Sequence, residues 1–466
     1  MEKYLFKREL PIDEGYDVVI AGGGPAGSAA AACAARLGSR VLLIESLGCL
    51  GGAGTSGLVT NMGELGRRGT MLLGGFIREV VDILYERGYI TSSKIYDKGH
   101  KPPKSEPLDV FAWMPFNPEG LKLVLDEIME KAKVEVRFFT QVVGVDKDPD
   151  TLFVKGLITY NIEGLRYVKA KAFIDCTGDA AVAAMCGVPC MIPSPAMPPN
   201  LQAILAGADW ENMELEGGQI KNQQKIVEQG ISDGFFSQTD RHVPGVFLGT
   251  DGFASLNAGH IFGMDALNCS SLSNGMVKGR RLVQEYLEFF RTYCKGYENL
   301  HLAATATLMG VRDSRRIKGE YLLGLNDYLV QRKFPDQIAL NAQSIDIHVK
   351  DCSEEEYSRF SEEFFKSKNY GPGEYFGIPY GVLVPKGSIN LWVAGRCVSC
   401  DEQVLGSIRM MPVCYTLGQA AGVAAAQSIN TNQPACDLNT ADLVLTLREQ
   451  GAILPQTTLS KEMTRV

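Results

Sequence analysis

The chain has 466 residues, 50 of them glycine, with 45% apolar and 21% charged residues; this profile excludes collagenous, disordered and disulfide-scaffold proteins and gives material for two or three domains. Forty-six Lys and Arg against 54 Asp and Glu leave a net charge of −8 without a long like-charge run, so nucleic acid and anionic membrane are not expected partners and a small-molecule substrate is. Twelve irregularly scattered cysteines, with no secretory leader read before them, fit reduced thiols and a cytoplasmic location.

A polar arm over 1–16 leads to Asp17-Val-Val-Ile-Ala21, a short buried strand, then to the turn Gly22-Gly-Gly-Pro-Ala-Gly27 and an alanine-rich helix to about Leu37. A second strand, Val41-Leu-Leu-Ile-Glu45, completes a β-turn-α-β unit of the length expected for a parallel sheet. A helix from Pro118 to Lys131 and a strand from Val134 to Phe139 follow, and Val142–Tyr160 and Leu165–Phe173 alternate like a small antiparallel meander. Ala172-Phe-Ile-Asp-Cys-Thr-Gly178 returns to a buried strand. From Gly187 to Ile378 the β/α rhythm is lost among proline-rich loops and helices such as Met276–Tyr293. A last unit, strand Asn390–Ala394, the pair Gly395-Arg396 and a small-residue helix over Pro412–Ile429, has the texture of the first.

Two uncharged stretches are not read as membrane spans. Val18 to Ala35 contains the glycine turn, and Ala180 to Ala208 carries Pro189, Pro193, Pro195, Pro198 and Pro199.

Gly22, Gly24 and Gly27 match G-x-G-x-x-G directly after a strand and at the start of a helix that Pro25 and Ala26 open. Gly22 permits the tight turn, Gly24 lets a pyrophosphate approach the backbone, and Gly27 allows close helix–strand packing. Glu45 ends the second strand, where a carboxylate accepts ribose hydroxyls of a dinucleotide without a 2′-phosphate, such as FAD or NAD. Ser46 comes next, and then Gly51-Gly52-Ala-Gly54-Thr55-Ser56, a glycine-rich loop that a simple NAD dehydrogenase does not need.

The fingerprint, the glycine doublet and Thr177-Gly178-Asp179 resemble the motif set of the glutathione-reductase-like FAD-dependent oxidoreductase superfamily. Gly310-Val-Arg-Asp-Ser-Arg-Arg-Ile-Lys-Gly-Glu-Tyr321, Ser344-Ile-Asp-Ile-His348, Ile378-Pro-Tyr380, Ala394-Gly-Arg-Cys397, Arg409-Met-Met-Pro-Val-Cys414 and Gly418-Gln-Ala-Ala-Gly422 are similar to a sparsely characterised bacterial family of FAD-dependent oxidoreductases. The resemblance implies an α/β fold: a Rossmann-like FAD-binding domain, its parallel sheet carrying an antiparallel β-meander, with an inserted α+β substrate domain. The expected boundaries are 1–186 and 379–430 for the FAD-binding pieces, 187–378 for the substrate domain, and 431–466 for a C-terminal segment packing on the surface. It further implies that Gly22, Gly24 and Gly27 hold the FAD pyrophosphate and Glu45 the ribose. Gly51, Gly52 and Thr55 would line the ribityl and flavin end, the backbone of Val142 or Val143 would meet adenine, and Thr177, Gly178 and Asp179 would close over the middle. Gly395-Arg396 stands where many members of the superfamily carry Gly-Asp, so contact there is expected from a guanidinium or the backbone. The amides of Met411 and Val413, at a helix start, are expected to face the flavin pyrimidine and stabilise its reduced form.

The chemistry expected is hydride transfer at flavin N5, with dehydrogenation favoured over reduction of an enoate or fumarate-like C=C bond, and with a carrier that has lost its flavin as the reading from another class. A group exchanging a proton is then required. Of five histidines, His260 in Asn257-Ala-Gly-His and His348 in Asp346-Ile-His are the candidates, each weighed against a structural hydrogen-bonded role. Arg409 precedes the flavin-facing helix and fits a carboxylate or phosphate, whereas Arg312, Arg315 and Arg316 read as an ion-pair network with Asp313 or Glu320. Cys397-x-x-Cys400 reads as a coincidence rather than a redox dithiol, and Cys186-x-x-x-Cys190 as no zinc site. No metal is expected. No second nucleotide fingerprint follows residue 187, so the electron acceptor or donor is unidentified; a second copy of the chain stays open as a partner.

Overall fold

The computed structural model describes residues 4–90, 110–111, 113–209, 212–216, 219–249, 253–365 and 370–455. The end of the expected C-terminal segment, 456–466, and His100 lie outside them.

The first unit forms as the sequence implies: β1 (Ile12–Ala21), α1 (Pro25–Arg36) and β2 (Val41–Ile44). Strand β1 starts inside the arm expected to be irregular. After α2 (Phe76–Glu86) and α3 (Pro118–Ala132) come β3 (Glu135–Arg137), β4 (Gln141–Lys147), β5 (Val154–Asn161) and β6 (Gly164–Asp175), then the short helix α4 (Ala181–Met185). Strands β3, β2, β1 and β6 run parallel in that order, and β5 and β4 continue from β6 as the antiparallel meander.

The middle of the chain builds a second, four-stranded antiparallel sheet from β7 (Ala203–Ala206), β8 (Gly245–Leu248), β9 (Phe253–Asn257) and β10 (His301–Thr305). Helix α5 (Cys269–Tyr293) lies on it and buries Leu282, Tyr286, Phe289 and Phe290 in a core of their own. A two-stranded ladder, β11 (Gln337–Asn341) with β12 (Phe376–Pro379), comes next. Its Ile338, Leu340 and Ile378 belong to the core around α1, as do Leu323 and Tyr328. The expected break at 378 is therefore not a packing boundary: chain after about 320 already buries its apolar residues against the first domain.

Strand β13 (Leu391–Val393) pairs in parallel with β6, placing Leu391 opposite Phe173, so the last unit completes the first sheet. Helices α6 (Glu402–Ile408), α7 (Met411–Thr431) and α8 (Thr440–Glu449) close the fold.

Helix α7 is buried along almost its whole length, without an amphipathic stripe, and its small residues serve contact with α1 rather than the sheet alone. A Cβ at Gly418 would lie 1.9 Å from the Ala26 carbonyl oxygen, and one at Gly422 2.3 Å from that of Ala30. Replacing Gly418 by Ala should destabilise the protein by about 2–3 kcal/mol, read as a lowered urea midpoint at unchanged slope, because backbone on both sides cannot yield as a flexible side chain does.

Candidate cofactor cradle and active site

The turn between β1 and α1 shows a separate role for each glycine. Gly22 has φ of +96°, and a Cβ there would sit 2.5 Å from the Cys176 carbonyl. A Cβ at Gly27 would come within 1.7 Å of the Gly22 carbonyl, whereas one at Gly24 would meet nothing within 4 Å. Gly24 thus faces open space at the start of α1, where unpaired amides and the helix dipole favour an anion. Pro25 opens that helix and Ala26 is buried under α7.

Glu45 ties this turn to the chain just past β2. Its Oε2 accepts from the Gly23 amide at 2.6 Å and its Oε1 from the Leu47 amide at 2.8 Å and the Ser46 hydroxyl at 3.1 Å. The start of β4 sits beside it, with the Thr140 amide donating to the Glu45 carbonyl. The ladder of β4 with β5 slips between Val142 and Gly144, leaving Val143 in a bulge with its side chain half exposed.

The glycine loop folds back onto the fingerprint. The Gly51 amide donates to the Gly23 carbonyl at 2.9 Å, and a Cβ at Gly52 would be 3.0 Å from the Gly24 Cα. Thr55 is the exception among the expected lining residues. Its hydroxyl is spent on the Leu50 carbonyl at 2.6 Å and the residue is buried, so it braces the loop from beneath instead of offering a donor to a ligand. Beyond it, a Cβ at Gly54 would touch Met411 Sδ at 3.1 Å, bringing the loop against the first turn of α7.

On the far side, Thr177 and the amide of Ala183 are held by buried Asp175, a residue not singled out from the sequence. Asp179 pairs with Arg396 at 2.9 Å, and the Ser314 hydroxyl donates to the same carboxylate at 2.6 Å. Burial opposes the charge on Asp179, but Arg396 and Ser314 outweigh it and hold the carboxyl below the usual range. The guanidinium of Arg396 is thus largely committed to protein partners. Gly395, with φ of +92°, lets the chain turn against Ala26. Cys397 and Cys400 are free and fully buried, and burial pushes both thiols up, which removes the thiolate that dithiol chemistry needs.

Helix α7 starts at Met411 with Pro412 in its first turn and Val413 fully buried. Directly before it, Arg409 donates through Nη2 to the Asp346 carboxylate at 2.7 Å and the Asp346 carbonyl at 2.8 Å. The three catalytic candidates belong to one constellation. Asp346 Oδ1 lies 3.5 Å from His348 Nε2, His348 Nδ1 lies 2.9 Å from His260 Nε2, and His260 Nδ1 lies 3.0 Å from Asp240 Oδ2. Asp240, His260 and His348 are buried, Arg409 is partly buried, and the Asp346 side chain is 46% exposed. His242 stacks on His260 with ring centroids 5.4 Å apart.

Arg312 departs from the expected ion-pair group. It is buried, donates to the Pro198 carbonyl at 2.6 Å, and acts electrostatically on His260, His348 and Asp346. Burial and the charge of Arg409 pull it down to about 9, which leaves it cationic at neutral pH. Arg315 instead donates to the Asp179 carbonyl, Arg316 lies 3.9 Å from Asp313 in a buried pair, and Glu320 accepts from the Gly387 amide. Burial lowers the proton affinity of both histidines, with Arg312 adding to the effect, so neutral rings are favoured; Asp346 is held far below the usual carboxylate range, its burial outweighed by His348, Arg409 and Arg312. Asp240, His242 and Arg312 were absent from the expected catalytic set. The signal available was a carboxylate two residues before a histidine, in Asp240-Arg-His242 and in Asp346-Ile-His348 alike.

A sequence profile of the FAD dependent oxidoreductase family matches residues 17–447, and the chain belongs to that family. A 48-residue stretch is 50% identical to dihydrolipoyl dehydrogenase of Trypanosoma brucei brucei, a match spanning 10% of each chain. Among solved structures, the chain is similar to a geranylgeranyl bacteriochlorophyll reductase-like protein from Thermoplasma acidophilum, at 16% identity and a TM-score of 0.47 over 95% of this chain and 83% of that one. It is also similar to p-nitrophenol 4-monooxygenase from Pseudomonas putida, at 13% identity and a TM-score of 0.43 over 94% and 81%. The protein is an FAD-dependent oxidoreductase with a Rossmann-like fold, and the bare backbone at Gly24 fits the cofactor. Among the described residues no helix is long and apolar enough to cross a membrane.

Gly24→Ala separates folding from binding. The apo protein should keep its melting temperature, because the added methyl meets no atom, while the flavin retained through purification drops sharply, because the methyl occupies the approach to the amides. Full flavin content in this variant would contradict the cradle.

Proposed function

We propose that the enzyme dehydrogenates a small, carboxylate-bearing organic substrate, and that the His260–His348 pair accepts the substrate proton. Bound FAD supplies the hydride acceptor at N5. The single observation that supports this reading is the continuous contact from His260 through His348 and Asp346 to Arg409, which directly precedes the helix start at Met411. Residues of the two expected domains meet at the edge of the glycine loop, where the amides of Thr307 and Leu308 bind the Ser56 carbonyl.

In this reading the fingerprint glycines and the first amides of α1 hold the pyrophosphate, Glu45 and Ser46 the ribose, and the backbone at Val142 and Val143 the adenine. Gly51 and Gly52 lie along the ribityl chain, Thr177, Gly178 and Asp179 with Gly395 and Arg396 border its middle, and Met411 and Val413 present helix-start amides to the flavin ring. Arg312 is a buried cation and Arg409 a partly buried one, so a substrate anion that reaches them gains a charge-assisted hydrogen bond in a low-dielectric setting. The two aspartates orient the imidazoles and balance the charge that forms when the pair takes a proton. The reverse reaction, reduction of an unsaturated acid, would use the same groups with the proton donated. The short likeness to dihydrolipoyl dehydrogenase supports the glutathione-reductase-like grouping, and twelve free cysteines support a cytoplasmic location.

Anaerobic bleaching of the flavin by a panel of hydroxy acids, amino acids and their uncharged alcohol and amine counterparts tests the substrate class: bleaching should be confined to the acids. Equal bleaching by neutral alcohols would sink the carboxylate reading, and rapid reoxidation of prereduced enzyme by enoates alone would reverse the direction. With an active acid in hand, His348→Gln should slow bleaching by about 10²–10⁴-fold at full flavin content. Arg312→Met should chiefly raise the substrate concentration needed.

A further inference from the structure

The histidine cluster has a property that proton transfer does not use. His242, His260 and His348 arrive from three separate loops, and one ring nitrogen from each can be chosen so that all three lie within 4.8 Å of one another. The outer nitrogens of two of them face carboxylates, His260 Nδ1 toward Asp240 and His348 Nε2 toward Asp346. The inner nitrogens, His260 Nε2 and His348 Nδ1, are hydrogen-bonded to each other at 2.9 Å, one of them carrying the proton. A metal ion that displaced this proton would find a lone pair on each ring.

We infer that His242, His260 and His348 form a binding site for one divalent cation of the zinc class, and that filling it inhibits the enzyme by taking the lone pairs that otherwise receive the substrate proton. Binding stands on the geometry alone; the inhibition rests on the proton-accepting role proposed above. Three imidazoles select zinc, copper or nickel over magnesium and calcium, which prefer oxygen. Histidine ligands characteristically donate their remote N–H to a carboxylate or carbonyl, the arrangement Asp240 and Asp346 already provide. Zinc–nitrogen distances of about 2.0–2.1 Å require tetrahedral ligand nitrogens roughly 3.3 Å apart, so the inner nitrogens part by about half an ångström while His242, within 4.8 Å of them, closes in. His242 completes the set, with its ring edge-on to His348 at 5.0 Å between centroids and stacked on His260. A fourth, open position faces a water or a substrate oxygen.

The test uses full-length, flavin-loaded protein stripped with a chelator and dialysed against zinc or magnesium salts, with bound metal measured directly. About one zinc per chain and no magnesium is expected, and both His242→Asn and His242→Gln should weaken zinc binding at least tenfold while keeping the flavin. Zinc should slow bleaching of the wild-type flavin by the active acid, reversibly on chelation, and slow the His242 variants only at correspondingly higher zinc. Absence of stoichiometric zinc, or zinc binding unchanged in both His242 variants, overturns the site even where His348→Gln still abolishes bleaching. Stoichiometric, His242-dependent zinc that leaves bleaching unimpeded keeps the site and overturns both the inhibition and the proton-accepting role of the pair.

Discussion

The structure depends on backbone meeting backbone where α1, the glycine loop and α7 converge. Gly27 lies against the Gly22 carbonyl, Gly418 against Ala26 and Gly422 against Ala30, each at a separation that a single methyl would violate. This triple contact sets the position of the α1 amides, of the loop at Gly51 and Gly52, and of the first turn of α7. The N-terminal ends of α1 and α7 are thus registered by the same van der Waals contacts. The cofactor geometry inherits the rigidity of that packing.

The second constraint is electrostatic. Asp240 and Asp346 face Arg312 and Arg409 across two histidines, most of it out of water, and such an arrangement is tolerated only because each charge has an opposite neighbour. The cluster draws on loops around 240 and 260 from the second sheet, on 312 and 346–348 from the connecting chain, and on 409 from the edge of α7. The segment from 187 onward is thereby bound to the first domain by charge as well as by the apolar contacts of β11 and β12.

The parts legible in the sequence are those whose cause is local. Ala21 through Gly27 reads as a strand, a turn and a helix start because φ, packing and open space at Gly22, Gly27 and Gly24 are decided within a few residues. The parallel return of β13 was legible through its likeness to β1, and His348 and Arg409 were singled out in the family motifs they occupy, His260 as one of five histidines. Asp240 and His242 carry no such mark, because their role comes from a loop folding over another loop. Arg312, Arg315 and Arg316 look like one group in the chain, yet successive side chains point apart, so each finds a different partner. Thr55 shows the opposite error: a hydroxyl in a ligand-binding loop turned inward to hold the loop's own carbonyl. Tyr328 and Ile338 join the core around α1 although they precede the boundary expected at 378, because such residues are apolar in either domain and only tertiary contact decides which core they join.

The order of assembly follows from the split sheet. During synthesis β1, α1 and β2 leave the ribosome several hundred residues ahead of β13 and α7, which complete the sheet and press the glycines into register. The early unit therefore waits, with the inner face of α1 uncovered, until the far end of the domain arrives. The intervening sheet and its aromatic core can mature independently in that interval, and the glycine turn is fixed only as α7 docks.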